Sequence, residues 1–434
     1  MIPAQGSKSA DVAAKLSRRA TTIALFEELG PGLVTGAADD DPSGIATYSQ
    51  AGAQFGYALG WTMILTFPLM SAIQLISARI GRVTGRGLAG NMEDVLARPV
   101  VTALVTLLFV ANTINIGADL AAMGAAAELV TGLSAHATTV GFALLSLVLQ
   151  IFVPYRRYSK LLKWLTLTLF AYVALVFIVP LDWKQLVAGL VIPRINGRAA
   201  VITIVAVFGT TISPYLFFWQ SAQEVEGIAG RTGAKPLRDA PEQAQGEFHR
   251  MRFDTLFGMA VSNLVALAII IGTAATLHAT GTASIETAAD AAKALRPVAG
   301  PFAFLLFSFG IIGTGLLAVP VLAGSAAYAV SDTRKWHGSL DDKPRQAIGF
   351  YSVIGLATVL GIGIDWSPLD PIKALFWSAV INGVVAVPIM AAMMLVVSRR
   401  QTMGDFTASP ILLTLGWTAT VLMAMAAAAL AVVS

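Results

Sequence analysis

The stretch Gly36-Ala37-Ala38-Asp39-Asp40-Asp41-Pro42-Ser43-Gly44 lies inside an apolar run reaching from Gly30 to Ala53. A run of that length is what a helix needs to cross a bilayer. Its middle nevertheless carries three consecutive carboxyl groups and a proline. An ionised carboxylate at the bilayer centre costs at least ~2.5–3.5 kcal/mol, and a proline ring removes a backbone hydrogen bond and clashes with the preceding turn. Lipid-facing backbone does not tolerate such a break, so the segment is expected to line a protein-walled cavity. Successive helical residues point about 100° apart, so the three aspartates cannot all face one site. Asp41, directly before Pro42, is the choice for the inner carboxylate. Asp39 and Asp40 are expected to line the access path or to pack against neighbouring spans.

The rest of the chain fits an all-α integral membrane protein. Of its 434 residues 56% are hydrophobic and 12% charged, about half the charged share of a soluble domain. Eleven spans are read: Gly30–Ala53, Tyr57–Ile80, Val100–Val130, Thr138–Val153, Leu161–Pro180, Ala199–Gln223, Phe253–His278, Phe302–Val330, Ala347–Ile364, Ile372–Ser398 and Ala408–Val433. With the amino terminus placed in the cytoplasm, 23 of the 29 Lys and Arg residues fall on the inner side, as the positive-inside rule demands. Residues 1–29 then form a cytoplasmic arm, with Lys8, Lys15, Arg18 and Arg19 and no signal-peptide core.

A second break is expected at Gly209-Thr210-Thr211-Ile212-Ser213-Pro214-Tyr215, in the sixth span. Breaks one and six stand at matching places in two five-span halves, residues 30–180 and 199–398, with 408–433 as an added helix. Interrupted segments at corresponding positions of two halves are the best sequence pointer to a transporter's binding site. Two ordinary proline kinks are the plainer alternative. The chain has no cysteine, which excludes disulfides and thiolate ligands. It carries no phosphate-binding glycine loop and no HExxH or GxSxG motif, so nothing suggests an enzyme. The basic residues form no continuous patch for nucleic acid.

Several motifs resemble the Nramp family of divalent metal transporters: Gly30-Pro31-Gly32, Asp41-Pro42-Ser43-Gly44, Gly52-Ala53 with Gly56-Tyr57 and Trp61, Ile116-Gly117-Ala118-Asp119-Leu120, and Ser213-Pro214-Tyr215. The resemblance implies a LeuT-like fold of two inverted five-helix repeats, helices 1 and 6 broken, plus an eleventh helix. It also exposes departures. The family's Asp-Pro-Gly-Asn has Gly44 at its Asn position, and its Met-Pro-His reads Ser213-Pro214-Tyr215. The glutamate three residues after Asp119 is Ala122. The tenth-span glutamine matches Ala379, with Asn382 one turn later.

Losing a thioether removes the soft ligand that favours manganese, iron and cadmium. Losing Met and Asn also implies a larger site. The candidate metal set is Asp41, Ser213, Thr210, Thr211 and the backbone at Ala38 and Gly44. Asp40, Tyr215, Asp119, Asn382 and Gln220 are candidates for its surroundings or for a path. Oxygen donors and room suit a partly hydrated magnesium ion, as in an atypical, magnesium-carrying branch of the family. Manganese is a further possible substrate. With Tyr215 and Ala122 in place of titratable residues, and His136, His249, His278 and His337 in loops or at span ends, transport is expected to run downhill without protons. Asp119 argues the other way.

The alternatives are a proton-coupled manganese or iron importer, a carrier of organic solutes, and a membrane receptor that transports nothing. Asn112, Asn115 and Asp119 share one helical face, either as interhelical glue or as a water-lined path. Glu224 is expected to pair with a loop arginine, and Glu128 and Asp332 to be solvated. A monomer in the inner membrane, with no cofactor and with the lipid bilayer and the cation as its partners, completes the reading.

Overall fold

The computed structural model describes residues 35–36, 38–154, 166–282, 284–336, 338–368 and 370–433. The amino-terminal arm, the start of the fifth span at Leu161 and His337 lie outside these. The described residues are helical, with no strand among them. In chain order the helices are α1 (Pro42–Phe55), α2 (Trp61–Thr84), α3 (Leu88–Met92), α4 (Arg98–Thr131), α5 (Ala135–Phe152), α6 (Phe170–Ile178), α7 (Trp183–Val191) and α8 (Gly197–Thr211). They continue with α9 (Pro214–Ala229), α10 (Ala244–Thr276), α11 (Ala288–Lys293), α12 (Arg296–Ala299), α13 (Ala303–Arg334), α14 (Ile348–Ile362), α15 (Pro371–Ser398), α16 (Arg400–Met403) and α17 (Pro410–Val433).

Among the described residues, nine helical segments are long and apolar enough to span a membrane, with α8 and α9 together counted as one. The broken first span and the shorter apolar helix Leu167–Ile178 complete the expected eleven.

Both breaks fall where sequence places them, and the prolines explain how. Helical backbone at 35, 36, 38 and 39 gives way to a bend at Asp40, and Asp41 is extended, with φ −70° and ψ 171°. Pro42 then opens α1. In the sixth span α8 ends at Thr211, Ser213 is extended with φ −79° and ψ 132°, and Pro214 opens α9. At the first position of a helix a proline loses no hydrogen bond, and its fixed φ suits the turn. Each proline therefore starts a half-helix rather than kinking a whole one.

Burial grades from the centre outward. The α8–α9 span is 89% buried, whereas α5 and α17 are only 22% buried. Their exposed surface is apolar, as at Leu144, Phe152, Ile411 and Val432, which suits contact with acyl chains. Around α8 and α9 stand α1, α2, α4, α13, α15 and α17. One close approach lies beside the second break. A Cβ on Gly209 would collide with the Ala379 carbonyl and the Gly383 backbone, so α8 and α15 touch main chain to main chain.

A charged network binds the arginine-rich end of α2, α9 and α10. Arg250 pairs with Glu224 at 2.5 Å and with Glu247 at 2.9 Å, and Arg82 reaches Glu247 at 3.3 Å. Glu224 thus finds its arginine, although on helix α10 rather than on a loop. Asp332 departs from expectation. It lies in the last turn of α13 instead of in a solvated loop, and its carboxylate accepts from the backbone of Ala89 and Gly90. A helix that runs four residues past the expected end of its span carries the residue there.

Candidate metal site between the two breaks

Asp41 caps α1. Its Oδ1 accepts from the Gly44 amide at 2.7 Å and from Ser43 Oγ at 2.7 Å. An aspartate cap satisfies an orphan amide and is worth about 0.5–2 kcal/mol, and the positive end of the helix dipole favours the anion. These contacts commit one carboxylate oxygen to structure. The other, Oδ2, accepts from Asn115 Nδ2 at 3.1 Å and, more loosely, from Tyr215 Oη at 3.4 Å. Tyr215 makes its better bond to the Ala38 carbonyl, at 3.0 Å. One half of the sixth span is thereby tied to the first half of the broken first helix.

Asn115 extends the network. Its amide nitrogen also donates to Asp119 Oδ2 at 3.3 Å, and its oxygen accepts from Asn382 Nδ2 at 3.5 Å. Asp41, Ala38, Tyr215, Asp119 and Asn382 are thus brought together, joined through a residue outside the candidate set. The sequence signal for Asn115 was its helical spacing with Asn112 and Asp119. Asn112 turns away and bonds Leu322 O at 2.8 Å and Ser325 Oγ at 2.9 Å on α13. Glue and site therefore occupy one helix face.

The donors of the second break behave differently from one another. Ser213 Oγ shares its proton between the carbonyls of Gly209 at 2.8 Å and Thr210 at 2.7 Å, leaving its lone pairs uncommitted. Thr211 donates to Val207 O at 2.6 Å and meets Tyr48 Oη at 3.2 Å, so its hydroxyl is engaged along its own helix and with α1. Thr210 Oγ1 is buried without a hydrogen-bond partner, as are Asp119 Oδ1 and Asn382 Oδ1.

Gln220 stands apart, accepting from Thr35 Oγ1 at 2.6 Å. Asp40 also stands apart. It and Asp39 share Ser262 Oγ, at 3.2 and 2.6 Å. Adjacent residues can reach one hydroxyl because the chain leaves the helix at Asp40.

The expected enlargement at Gly44 is not open space here. A Cβ on Gly44 would stand 3.2 Å from Thr210 Oγ1, 3.3 Å from Asp39 O and 3.3 Å from the Tyr48 ring. A side chain at position 44 would need these three neighbours to give by a few tenths of an ångström. Among the described residues no group of three or more His, Cys, Asp or Glu is arranged to hold a metal. A cation between the breaks would rest on Asp41 and neutral oxygens.

Two cavities lie at the opposite end from the arginine network. One of about 270 Å³, lined by Gln50, Thr203, Phe376 and Trp377, reaches Ala46, two residues beyond Gly44. Gln50 Oε1 accepts there from the Ile285 amide at 2.9 Å. The other, of about 560 Å³, is lined by Glu128, Asp365 and Asp370 among others. Glu128 is exposed on its rim, as expected.

Comparison with known proteins agrees with this architecture. Over 414 residues the chain is 28% identical to the divalent metal cation transporter MntH of Klebsiella pneumoniae (strain 342), covering 92% of each. Over 321 residues it is 31% identical to MntH of Yersinia pestis (strain Pestoides F), covering 71% of this chain and 74% of that one. The crystal structure of the Eremococcus coleocola manganese transporter superposes with a TM-score of 0.73 at 17% identity, over 93% of this chain and 85% of that one. Mhp1, a nucleobase-cation-symport-1 family transporter, superposes with a TM-score of 0.54 at 15% identity, over 93% and 92%. The fold is the LeuT-like one. The family model described as natural resistance-associated macrophage protein-like matches residues 32–433, and the chain belongs to the Nramp family.

Proposed function

We propose that this protein carries divalent metal cations across the membrane as a secondary transporter, holding them between the breaks of its first and sixth spans. One observation carries the reading: Asp41 keeps one carboxylate oxygen for its helix and turns the other toward Asn115 and Tyr215, within reach of the second break. The relatives named as divalent metal cation transporters support the class of substrate.

The donor chemistry favours magnesium. Asp41, the Ala38 carbonyl, Thr210 and Ser213 offer hard oxygens. The unpartnered Thr210 Oγ1, Asp119 Oδ1 and Asn382 Oδ1 are groups that the water shell of a partly hydrated ion would satisfy. Magnesium retains its waters more stubbornly than the softer metals. In this reading uptake is downhill, the amino terminus is cytoplasmic, the halves 30–180 and 199–398 are inverted repeats with 408–433 appended, and the protein works as a monomer.

A second reading has specific support. The relatives carry the MntH name, and a structural neighbour is a manganese transporter. Asp119, one amide away from Asp41, is a buried carboxyl where a proton-coupled manganese or iron importer needs one.

Flux in proteoliposomes decides between the two. Magnesium, manganese and cadmium are offered to the wild type and to Asp41→Ala, with internal pH recorded. The magnesium reading expects magnesium flux without acidification. Acidification that tracks manganese flux, with magnesium neither carried nor competing, would replace it with the second. Normal transport by Asp41→Ala would remove the site.

A further inference from the structure

Asn115 sits at a junction of three helices. Its amide nitrogen donates to Asp41 on one side and Asp119 on the other, at 3.1 and 3.3 Å, and Asn382 supports its oxygen at 3.5 Å. Two carboxylate oxygens facing the same nitrogen fix the orientation of the amide, since only the NH2 end can donate to both. The group is fully buried. Its two bonds to carboxylates lie at the long end of the range, while the cap bonds on Asp41 Oδ1 measure 2.7 Å. A cation approaching Asp41 through Oδ2 therefore displaces the weaker set first.

An amide has a second face. Turned about its last torsion, Asn115 presents Oδ1 where Nδ2 now stands, and an amide oxygen is a hard ligand suited to magnesium and manganese alike. The position that would otherwise supply an amide is Gly44, and there a side chain would crowd Thr210, Asp39 and Tyr48.

We propose that Asn115 is a switchable ligand of the cation site. Without the ion it bridges Asp41 and Asp119 as a donor. With the ion bound it turns, offers its oxygen to the cation directly or through a retained water, and releases Asp119. This rests on the assignment of the cation to Asp41. It also gives Asp119 a means of sensing occupancy without touching the ion.

The test measures initial uptake of magnesium into proteoliposomes against concentration for the full chain, with cadmium as competitor. Asn115→Ala is expected to raise KM for magnesium about 10–100-fold, the cost of removing a group that supports a bound metal, with the maximal rate changed far less. Asn115→Asp keeps an oxygen of nearly the same shape and loses the donor. It is expected to recover most of the affinity lost in Asn115→Ala. Asn115→Met brings a thioether and is expected to strengthen cadmium competition.

A purely structural role predicts lower folded yield or maximal rate in all three variants, with KM and ion preference unmoved. An unchanged KM in Asn115→Ala would overturn the proposal, and so would an Asn115→Asp as impaired as the alanine variant. If Asp41→Ala in the same assay is inactive while Asn115→Ala is normal, only the switch fails. If Asp41→Ala transports normally, the site itself fails.

Discussion

The two breaks solve the same backbone problem with opposite halves of the helix. At the first, Asp41 reaches forward and caps the amide of Gly44, so the side chain serves the half-helix that begins there. At the second, Ser213 reaches back to the carbonyls of Gly209 and Thr210, serving the half-helix that ends there, and α9 starts without a side-chain cap. The first break therefore carries a carboxylate that reaches forward and the second a hydroxyl that reaches back. That difference follows from how helix ends are satisfied.

The comparison is broken most severely at Asp41. Asp41→Ala removes the cap and the proposed ligand together and should reduce metal flux by more than about a hundredfold, since even outer groups around a metal are worth about 10–100-fold. Asp41→Asn can still accept from Gly44. It should regain most of the about 0.5–2 kcal/mol of cap stability in thermal unfolding while staying inactive in flux. If the asparagine variant transported, the charge would be dispensable and the two breaks equivalent.

Ser262→Ala tests the acidic flank of the first break, for which the second has no counterpart. It strips Asp39 and Asp40 of their shared donor, and thermal unfolding should show a loss of about 1–3 kcal/mol. Gly44→Ala asks whether the closure over Gly44 is tight. With three atoms at 3.2–3.3 Å from the added carbon, a loss of about 1–3 kcal/mol is expected, again by unfolding. Ser213→Met puts a soft donor into the second break and should raise cadmium competition against magnesium by about tenfold, or about 1.4 kcal/mol. The smallest effect is expected from Tyr215→Phe. It removes the bond to the Ala38 carbonyl and should cost about 0.5–1.5 kcal/mol without changing ion preference in the flux assay.

The breaks were legible because proline and consecutive aspartates contradict the apolar runs around them. The spans were legible because length and charge bias are one-dimensional properties. Asn115 could be placed on the right face of its helix, but not joined to Asp41. Its partners lie 74 and 267 residues away, and helical spacing cannot say which neighbour a face meets. Asp39 and Asp40 were read as helical residues pointing apart. Their meeting at Ser262 depends on the bend at Asp40, which a proline two residues later permits but does not specify. Whether losing a side chain at Gly44 leaves room was not legible for a related reason: it depends on how near Thr210, Asp39 and Tyr48 stand, and they stand close.

The bare contact of Gly209 with Ala379 and Gly383 has a mechanical consequence. Helices that interlock through side chains meet along a seam, and a seam resists both sliding and turning. Main chain resting on main chain has no side chain that can give way. A half-helix held this way has no room for any side chain at position 209, so a larger residue there would push the tip at Thr210 to Ser213 from its present place.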